Sequence, residues 1–201
     1  MLIPNARAMV VRGALMKTCK NLPEVSVVLA VRNVEDTVAG DVRRVVAHLR
    51  QLGRPFEVLA VNAGSWDTSF KVLRLLATDL PELRLLEKDL TGRAFVRGAA
   101  EACGQAVILM DAEAMPASLS PLGWTLSRLA AGLEAVVVRG RFIAIRRLPA
   151  LPAVARARGR GDAFARSFER EGRDLAMEIV GTARKAAPSG LFAPVWRLLA
   201  A

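Results

Sequence analysis

Three short polar segments contain side chains that could do chemistry, at 32–36, 62–67 and 111–113. In the last of them Asp111 and Glu113 are two residues apart, and an extended backbone would point both carboxylates to the same side. Such a pair can share a divalent cation, since Mg²⁺ typically takes one or two carboxylates and completes its shell with water and substrate phosphates. The other interpretation is that both are solvated residues of a turn that ends a strand.

Each polar segment directly follows a predicted strand. The run 25–31 is rich in valine, as in a strand buried on both faces, and 34–53 then carries apolar residues at helical spacing. The predicted strands of this region are 25–31, 56–61, 83–86 and 106–110, and the predicted helices are 34–53, 67–78 and 93–103. This alternation predicts an α/β fold with a mostly parallel sheet flanked by helices. Ligands of such sheets bind beyond the carboxyl ends of the strands, where the three polar segments lie.

The remainder of the chain continues the same domain. Its predicted elements are strands at 135–138, 142–145 and 176–180, helices at 117–131 and 162–171, and an arginine-rich connection at 146–160. No linker, internal repeat or low-complexity tract divides the sequence. We therefore expect a tail over 1–22, a single domain over 23–187 and a C-terminal segment over 188–201, in which Pro194 restricts any helix to the last turns.

The formal net charge of +10 is unevenly distributed. Residues 139–201 carry 13 of the 29 basic side chains and 5 of the 19 acidic ones, so the rest of the chain is nearly neutral. Such asymmetry is typical of proteins that bind nucleic acid, an anionic membrane surface or a phosphorylated substrate. The alternative explanation of the excess charge is a composition biased towards arginine, without a function. A nucleic acid partner is not expected, because Tyr is absent and no helix-turn-helix, zinc-finger or RNA-recognition pattern occurs.

Other patterns exclude further classes of protein. No apolar run reaches the ~18 residues that a membrane-spanning helix needs, and no signal peptide is recognisable. No G-x-G-x-x-G follows the first strand, which disfavours a dinucleotide-binding oxidoreductase. Cys19 and Cys103 lie far apart without metal-ligand spacing, which favours two ordinary thiols in a reducing compartment. These patterns predict a cytoplasmic protein. A more specific prediction is that the protein contacts the inner face of the membrane peripherally.

Taken in order, the segments 25–35, 58–67, 92–104 and 108–116 resemble family 2 glycosyltransferases, which have the GT-A fold. The residues that match the family's motifs are Asn33 and Glu35 after the first strand, Gly64, Ser65 and Asp67 after the second, Gly92, Ala94, Gly98, Ala102 and Gly104 around the third helix, and Asp111, Glu113 and Pro116 after the fourth strand. Fainter matches are the arginine pair at 146–147, Gly161 with Asp162, and the segment 181–185. The chain is most similar to short, single-domain bacterial members.

The resemblance implies metal-dependent, inverting transfer of a sugar from a UDP- or GDP-linked donor. The implied nucleotide-sugar contacts are Glu35, Asn62, Gly64, Ser65, Arg93 and Asp111, and the implied ligands of Mg²⁺ or Mn²⁺ are Asp111 and Glu113. Asp162 matches the catalytic base, and capping of a helix is its other interpretation. Arg146 and Arg147 are further candidates for phosphate contact. The charge of the C-terminal third then favours an anionic acceptor, such as a lipid phosphate at a membrane surface.

The sequence also departs from the family pattern. Asn62 and Ala63 replace the two aspartates that usually grip the nucleotide, which turns a charge-assisted hydrogen bond of ~1.5–3 kcal/mol into a neutral one or removes it. Val96 replaces the usual asparagine, and Glu113 stands where the metal motif usually ends in aspartate. The competing hypothesis is therefore a catalytically inactive, glycosyltransferase-like binding or interaction module.

Overall fold

One seven-stranded sheet organises the protein, in the strand order β3-β2-β1-β4-β6-β5-β7. The structure is a computed structural model that describes residues 23–87 and 92–181. Its strands are β1 (Val25–Val31), β2 (Phe56–Asn62), β3 (Leu83–Leu86), β4 (Ala106–Asp111), β5 (Ala135–Val138), β6 (Phe142–Arg146) and β7 (Met177–Val180). Its α-helices are α1 (Val38–Gln51), α2 (Ser69–Asp79), α3 (Ala94–Glu101), α4 (Pro121–Ala130), α5 (Arg147–Arg156) and α6 (Gly161–Glu171). The expectations for 1–22, 182–185 and 188–201 lie outside the described residues.

The predicted mostly parallel sheet is confirmed. Strands β1 to β4 are parallel to one another, and only β6 among the described strands runs against its neighbours, β4 and β5. Strand β7 is the outermost strand beyond β5 and runs parallel to it. The carboxyl ends of β1, β2 and β4 therefore meet at one edge of the sheet, and this brings the three polar segments together.

Helices cover both faces of the sheet. All seven residues of β1 are buried, which explains why its sequence is a continuous apolar run instead of an alternating one. Helices α1, α2 and α4 contribute to the core on one face, and α3, α5 and α6 contribute to the core on the other. No helix among residues 23–87 and 92–181 is long and apolar enough to cross a membrane.

Helix α5 differs from the expected arginine-rich connection. Pro149 lies in its first turn, where the missing N–H has no intrahelical partner to lose, and Pro152 lies on its exposed side. Four residues of the helix are buried against the sheet and α3: Ala150, Leu151, Ala153 and Val154. The two prolines and two arginines of the helix obscured this apolar face, because helix formation here depends on tertiary packing more than on local propensity.

A second difference concerns Cys103, which is disulfide-bonded in the structure, so the expectation of an ordinary thiol at this position is wrong. No other cysteine lies among the described residues. The backbone N–H of Cys103 donates to the buried carboxylate of Glu57 at 2.7 Å, next to a hydrogen bond from Ser26 Oγ to the same oxygen.

Gly98 allows α3 to approach β1 closely. A Cβ atom added there would overlap Cγ1 of Val28, a stiff side chain in the middle of a buried strand. We expect Gly98→Ala to destabilise the protein by about 1–3 kcal/mol through overpacking. The matched control is Gly40→Ala in α1, where a Cβ would meet nothing within 4 Å. That change should stabilise by up to about 1 kcal/mol, because alanine is the better helix former. Urea denaturation measures both, and equal effects would contradict the packing argument.

Candidate active site

A cavity of about 750 Å³ opens at the carboxyl ends of β1, β2 and β4. Of the predicted site residues, Gly64, Arg93 and Asp111 line it. The other charged residues of the lining are Arg32, which belongs to the polar segment 32–36, and Arg158 and Arg160, which were not predicted as site residues. The described residues of the lining therefore include four arginines and one carboxylate, so the cavity is cationic and suits a ligand with several negative charges.

Asp111 is the only carboxylate of this described lining. It ends β4 beside Ala30 of β1, and its Oδ1 accepts a hydrogen bond of 3.1 Å from the backbone N–H of Glu113. Burial raises the pKa of Asp111, and the negative charge of Glu113 adds to this, whereas the hydrogen bond and the positive charge of Arg160 act in the opposite direction. A half-buried carboxylate held in this way gains free energy from a bound cation.

Glu113 does not lie in extended backbone. The expectation that an extended backbone points the carboxylates of Asp111 and Glu113 to the same side is therefore wrong. Residues Ala112–Ala114 form a turn of 3-10 helix, with Asp111 as its N-terminal cap. Glu113 Oε1 accepts a hydrogen bond from Arg160 Nη2 at 3.2 Å. The described residues contain no group of three metal-ligating side chains. Two neighbouring carboxylates still fit Mg²⁺ or Mn²⁺ chemically, because water and phosphate oxygens usually supply the other ligands.

Asn62 and Ser65 do not line the cavity but shape the loop beside it. Asn62 Oδ1 accepts hydrogen bonds from the backbone N–H groups of Gly64 at 3.1 Å and Ser65 at 2.8 Å, which is an Asx turn. Ser65 Oγ donates to the carbonyl of Val31. Gly64 has a φ of 92°, which glycine adopts without strain, and it alone of these three residues faces the cavity.

Glu35 ties the loops after β1 and β2 together. Its Oε2 accepts hydrogen bonds from the backbone N–H of Thr68 at 2.8 Å and from the Thr68 hydroxyl, and its own N–H donates to Asp67. Burial alone would raise the pKa of Asp67, but donation from the Ser69 hydroxyl, the Ser69 N–H and the Glu35 N–H outweighs it and lowers the pKa. The structure thus gives Glu35 and Asp67 a positioning role, and a direct nucleotide contact of Glu35 stays a prediction.

Asp162 lies in the first turn of α6 and lines a second cavity, of about 220 Å³. The cap position of α6 belongs to Arg160, so Asp162 does not occupy the capping position that was its alternative interpretation. The second cavity shares Asp111, Phe95 and Phe164 with the larger one. Two ligands, one bound in each cavity, would therefore both lie beside Asp111.

The predicted phosphate contacts divide into two groups. Arg93 lines the large cavity and hydrogen-bonds the carbonyl of Ala155. Arg146 pairs in register with Ala106, the first residue of β4, and Arg147 donates to the carbonyl of Ala102. Both therefore lie at the opposite edge of the sheet from Asp111, and their predicted phosphate contact is wrong. The reversed direction of β6 causes this, and the sequence had not indicated that reversal.

Solved structures with the same architecture identify the fold. A mannosyltransferase from Pyrobaculum calidifontis, in complex with GDP-Man and Mn²⁺, matches with a TM-score of 0.59 at 18% identity, over 88% of this chain and 62% of that chain. Glucosyl-3-phosphoglycerate synthase from Mycobacterium tuberculosis, in complex with UDP, matches with a TM-score of 0.58 at 19% identity, over 98% of this chain and 81% of that chain. The chain has the GT-A fold of glycosyltransferases, and the resemblance to that class is confirmed.

Sequence comparison adds more particular relatives. The chain is 34% identical over 98 residues to undecaprenyl-phosphate 4-deoxy-4-formamido-L-arabinose transferase of Pectobacterium carotovorum subsp. carotovorum, and 33% identical to that of Pectobacterium atrosepticum. The aligned region covers 46% of this chain and 30% of each relative, so the chain matches less than a third of their length. No family model matches the sequence.

Proposed function

We propose that the protein is a glycosyltransferase that binds a nucleotide-activated sugar in the large cavity and transfers the sugar, with inversion, to an anionic acceptor. The observation that carries this proposal is the charge of the cavity, in which arginines surround Asp111 at the carboxyl edge of a GT-A sheet. Arginine is the residue best suited to phosphate oxygens, because its planar fork donates two parallel hydrogen bonds. Arg32 and Arg158 are the proposed diphosphate contacts.

Asp111 and Glu113 would hold a divalent cation, Mg²⁺ or Mn²⁺. When bound, such a cation supplies positive charge that stabilises the leaving nucleoside diphosphate. The mannosyltransferase was solved with GDP-Man and Mn²⁺, and another structure of glucosyl-3-phosphoglycerate synthase contains UDP and Mn²⁺, which supports the same cofactor here. Gly64 leaves room for the donor beside the Asx turn, since it has no side chain.

Asp162 is the proposed catalytic base, acting from the smaller cavity. The acceptor oxygen attacks the anomeric carbon of the sugar, the bond from that carbon to the diphosphate breaks, and the proton of the acceptor passes to Asp162. Arg141 lines the same cavity and suits an anionic group of the acceptor. Walls from Phe142, Phe164 and Leu109 suit an apolar part.

A lipid-linked phosphate is the acceptor that we favour. The names of the two sequence relatives contain undecaprenyl phosphate, and the C-terminal third of this chain carries most of its net positive charge. An anionic membrane surface attracts such a basic region. With this acceptor, the protein would work in peripheral contact with a membrane.

Calorimetric titration with GDP-mannose and UDP-glucose, each with and without Mn²⁺, tests the donor site. We expect one of them to bind, and more tightly with Mn²⁺. Arg32→Gln should weaken that binding at least about tenfold, because a charged hydrogen bond contributes ~1.5–3 kcal/mol. The matched control is Arg43→Gln on the exposed side of α1, which should bind as the wild type does. Heat from neither nucleotide-sugar under either condition would contradict the proposal.

A catalytically inactive binding module is the second candidate. The replacements at Asn62 and Ala63 favour it. The amide oxygen of Asn62 accepts hydrogen bonds from the backbone of its own loop, and Ala63 brings no carboxylate to the cavity. Binding of a nucleotide-sugar without transfer to undecaprenyl phosphate, or to a soluble phosphorylated acceptor, would decide for this candidate.

A further inference from the structure

Arg160 lies between the cationic cavity and the acidic pair formed by Asp111 and Glu113. Arg160 lines the cavity, and its Nη2 lies 3.2 Å from Glu113 Oε1. The side chains of Arg160 and Glu113 are 35% and 45% exposed, so the ion pair is open to solvent and can exchange partners. The same guanidinium is therefore placed to serve either Glu113 or an anion in the cavity.

The backbone around Arg160 holds it at this place. Gly159 and Gly161 flank it with φ values of 92° and 49°, both in the left-handed region that favours glycine. Arg160 itself is extended, with φ −139° and ψ 158°, and precedes the first turn of α6. A Cβ atom on Gly161 would lie 3.8 Å from Asp111 Oδ2, so this short loop passes close to the acidic pair.

We propose that Arg160 is a built-in counter-ion of the Asp111–Glu113 pair, which competes with a divalent cation for Glu113 and binds the donor diphosphate once that cation has displaced it. This proposal rests on the proposed function, because it deepens the role of the same cavity. It adds a residue that neither the family resemblance nor the sequence relatives assign.

The physical argument is a competition between two cations for one carboxylate. While Arg160 is paired with Glu113, a cation entering the pair must break that hydrogen bond and meets the positive charge of the guanidinium. Once displaced, the guanidinium can turn towards the phosphate oxygens, which it can bind through two hydrogen bonds. The cation and the diphosphate should therefore bind cooperatively, and the coupling should depend on Arg160.

Arg160→Gln tests the competition with Mn²⁺ alone as the probe, and electron paramagnetic resonance of free Mn²⁺ measures the affinity. We expect Mn²⁺ to bind Arg160→Gln about threefold to fivefold more tightly than wild type, which is the upper part of the range for losing a solvent-exposed ion pair. The matched control is Arg158→Gln, which removes the same charge from the same cavity. Arg158 hydrogen-bonds the carbonyls of Ala155 and Ala157 instead of Glu113. Arg158→Gln should therefore leave the Mn²⁺ affinity within about twofold of wild type.

A second arm measures how much Mn²⁺ strengthens the binding of GDP or UDP, whichever the wild type binds. We expect that coupling to fall about threefold to fivefold in Arg160→Gln. In a Glu113→Gln background, Arg160→Gln should tighten Mn²⁺ binding less than it does in wild type, because the ion pair is already gone and only the charge of Arg160 near Asp111 is removed. Arg160→Lys keeps a cation beside Glu113 and should keep the weak Mn²⁺ affinity, which gives a second test if the glutamine variant folds poorly.

The proposal is overturned if Arg160→Gln binds Mn²⁺ no more tightly than Arg158→Gln does, or if no variant binds Mn²⁺ at all. Failure of the proposed function gives a different result. In that case the wild type binds no nucleotide-sugar, while the Mn²⁺ affinities of the variants still report whether Arg160 and the cation compete.

Discussion

Asp111→Asn is expected to lower sugar transfer by at least about 100-fold, because the half-buried carboxylate is the proposed link between the cation and the donor diphosphate. Loss of groups that merely orient metal ligands typically costs 10–100-fold in affinity or activity, and loss of a ligand should cost no less. The measurement is the release of UDP or GDP from the donor at saturating Mn²⁺. Binding of Mn²⁺ should weaken in parallel.

The same substitution should not unfold the protein. The pKa of Asp111 is raised, chiefly by burial, so its ionised form costs folding free energy at neutral pH and a neutral amide removes that cost. Asparagine can also still accept the hydrogen bond from the N–H of Glu113. We therefore expect a Tm equal to or above that of wild type. Asp174→Asn, at an exposed position outside both cavities, is the matched control and should keep full activity. Full transfer by Asp111→Asn would contradict the assignment.

Asp162→Asn is expected to lower kcat by about 100-fold at pH 5.5, while the KM for the donor stays within about threefold. General bases contribute typically 10²–10⁴-fold, and Asp162 lines the smaller cavity, whose lining contains neither Arg32 nor Arg158. The effect on folding should be small, because an acidic residue in the first turn of a helix contributes only ~0.3–1 kcal/mol. Steady-state kinetics with undecaprenyl phosphate in detergent micelles provides the measurement.

The pH dependence of this defect identifies the attacking group. A phosphate monoester loses its second proton near pH 6, so a lipid phosphate needs a base at pH 5.5 and much less at pH 8.5. We therefore expect the defect of Asp162→Asn to shrink at least about tenfold over that range. A constant defect would indicate a hydroxyl nucleophile that keeps its proton throughout. Wild-type kcat at pH 5.5 would contradict the role of Asp162 as the base.

The elements that position the site could be predicted where local pattern and tertiary environment agree. The valine-rich run of β1 is buried on both faces, so its apolar sequence is itself the signature of its place in the sheet. Asp111 follows a similar run in β4, and a polar residue at the end of a buried parallel strand must lie at the carboxyl edge. The place of Asp111 at the carboxyl ends of the parallel strands follows from this pattern, whereas the strand order was not predicted.

Long-range features could not be predicted in the same way. The reversed strand β6 placed Arg146 at the edge opposite to Asp111, because register and strand direction depend on pairing between distant segments. Arg158 and Arg160 reach the cavity only because α5 and α6 fold back over α3. The oxygen of Asn62 had suggested a ligand contact, but short polar side chains also bond to nearby backbone, and here that local use prevails.

The most direct test of the central claim is a crystal structure with Mn²⁺ and the preferred nucleoside diphosphate, collected at the manganese absorption edge. We predict an anomalous peak in contact with the carboxylate of Asp111, and a diphosphate that lies between this ion and the guanidinium groups of Arg32 and Arg158. A nucleotide bound elsewhere on the protein, or a manganese ion that leaves Asp111 without contact, would contradict the account.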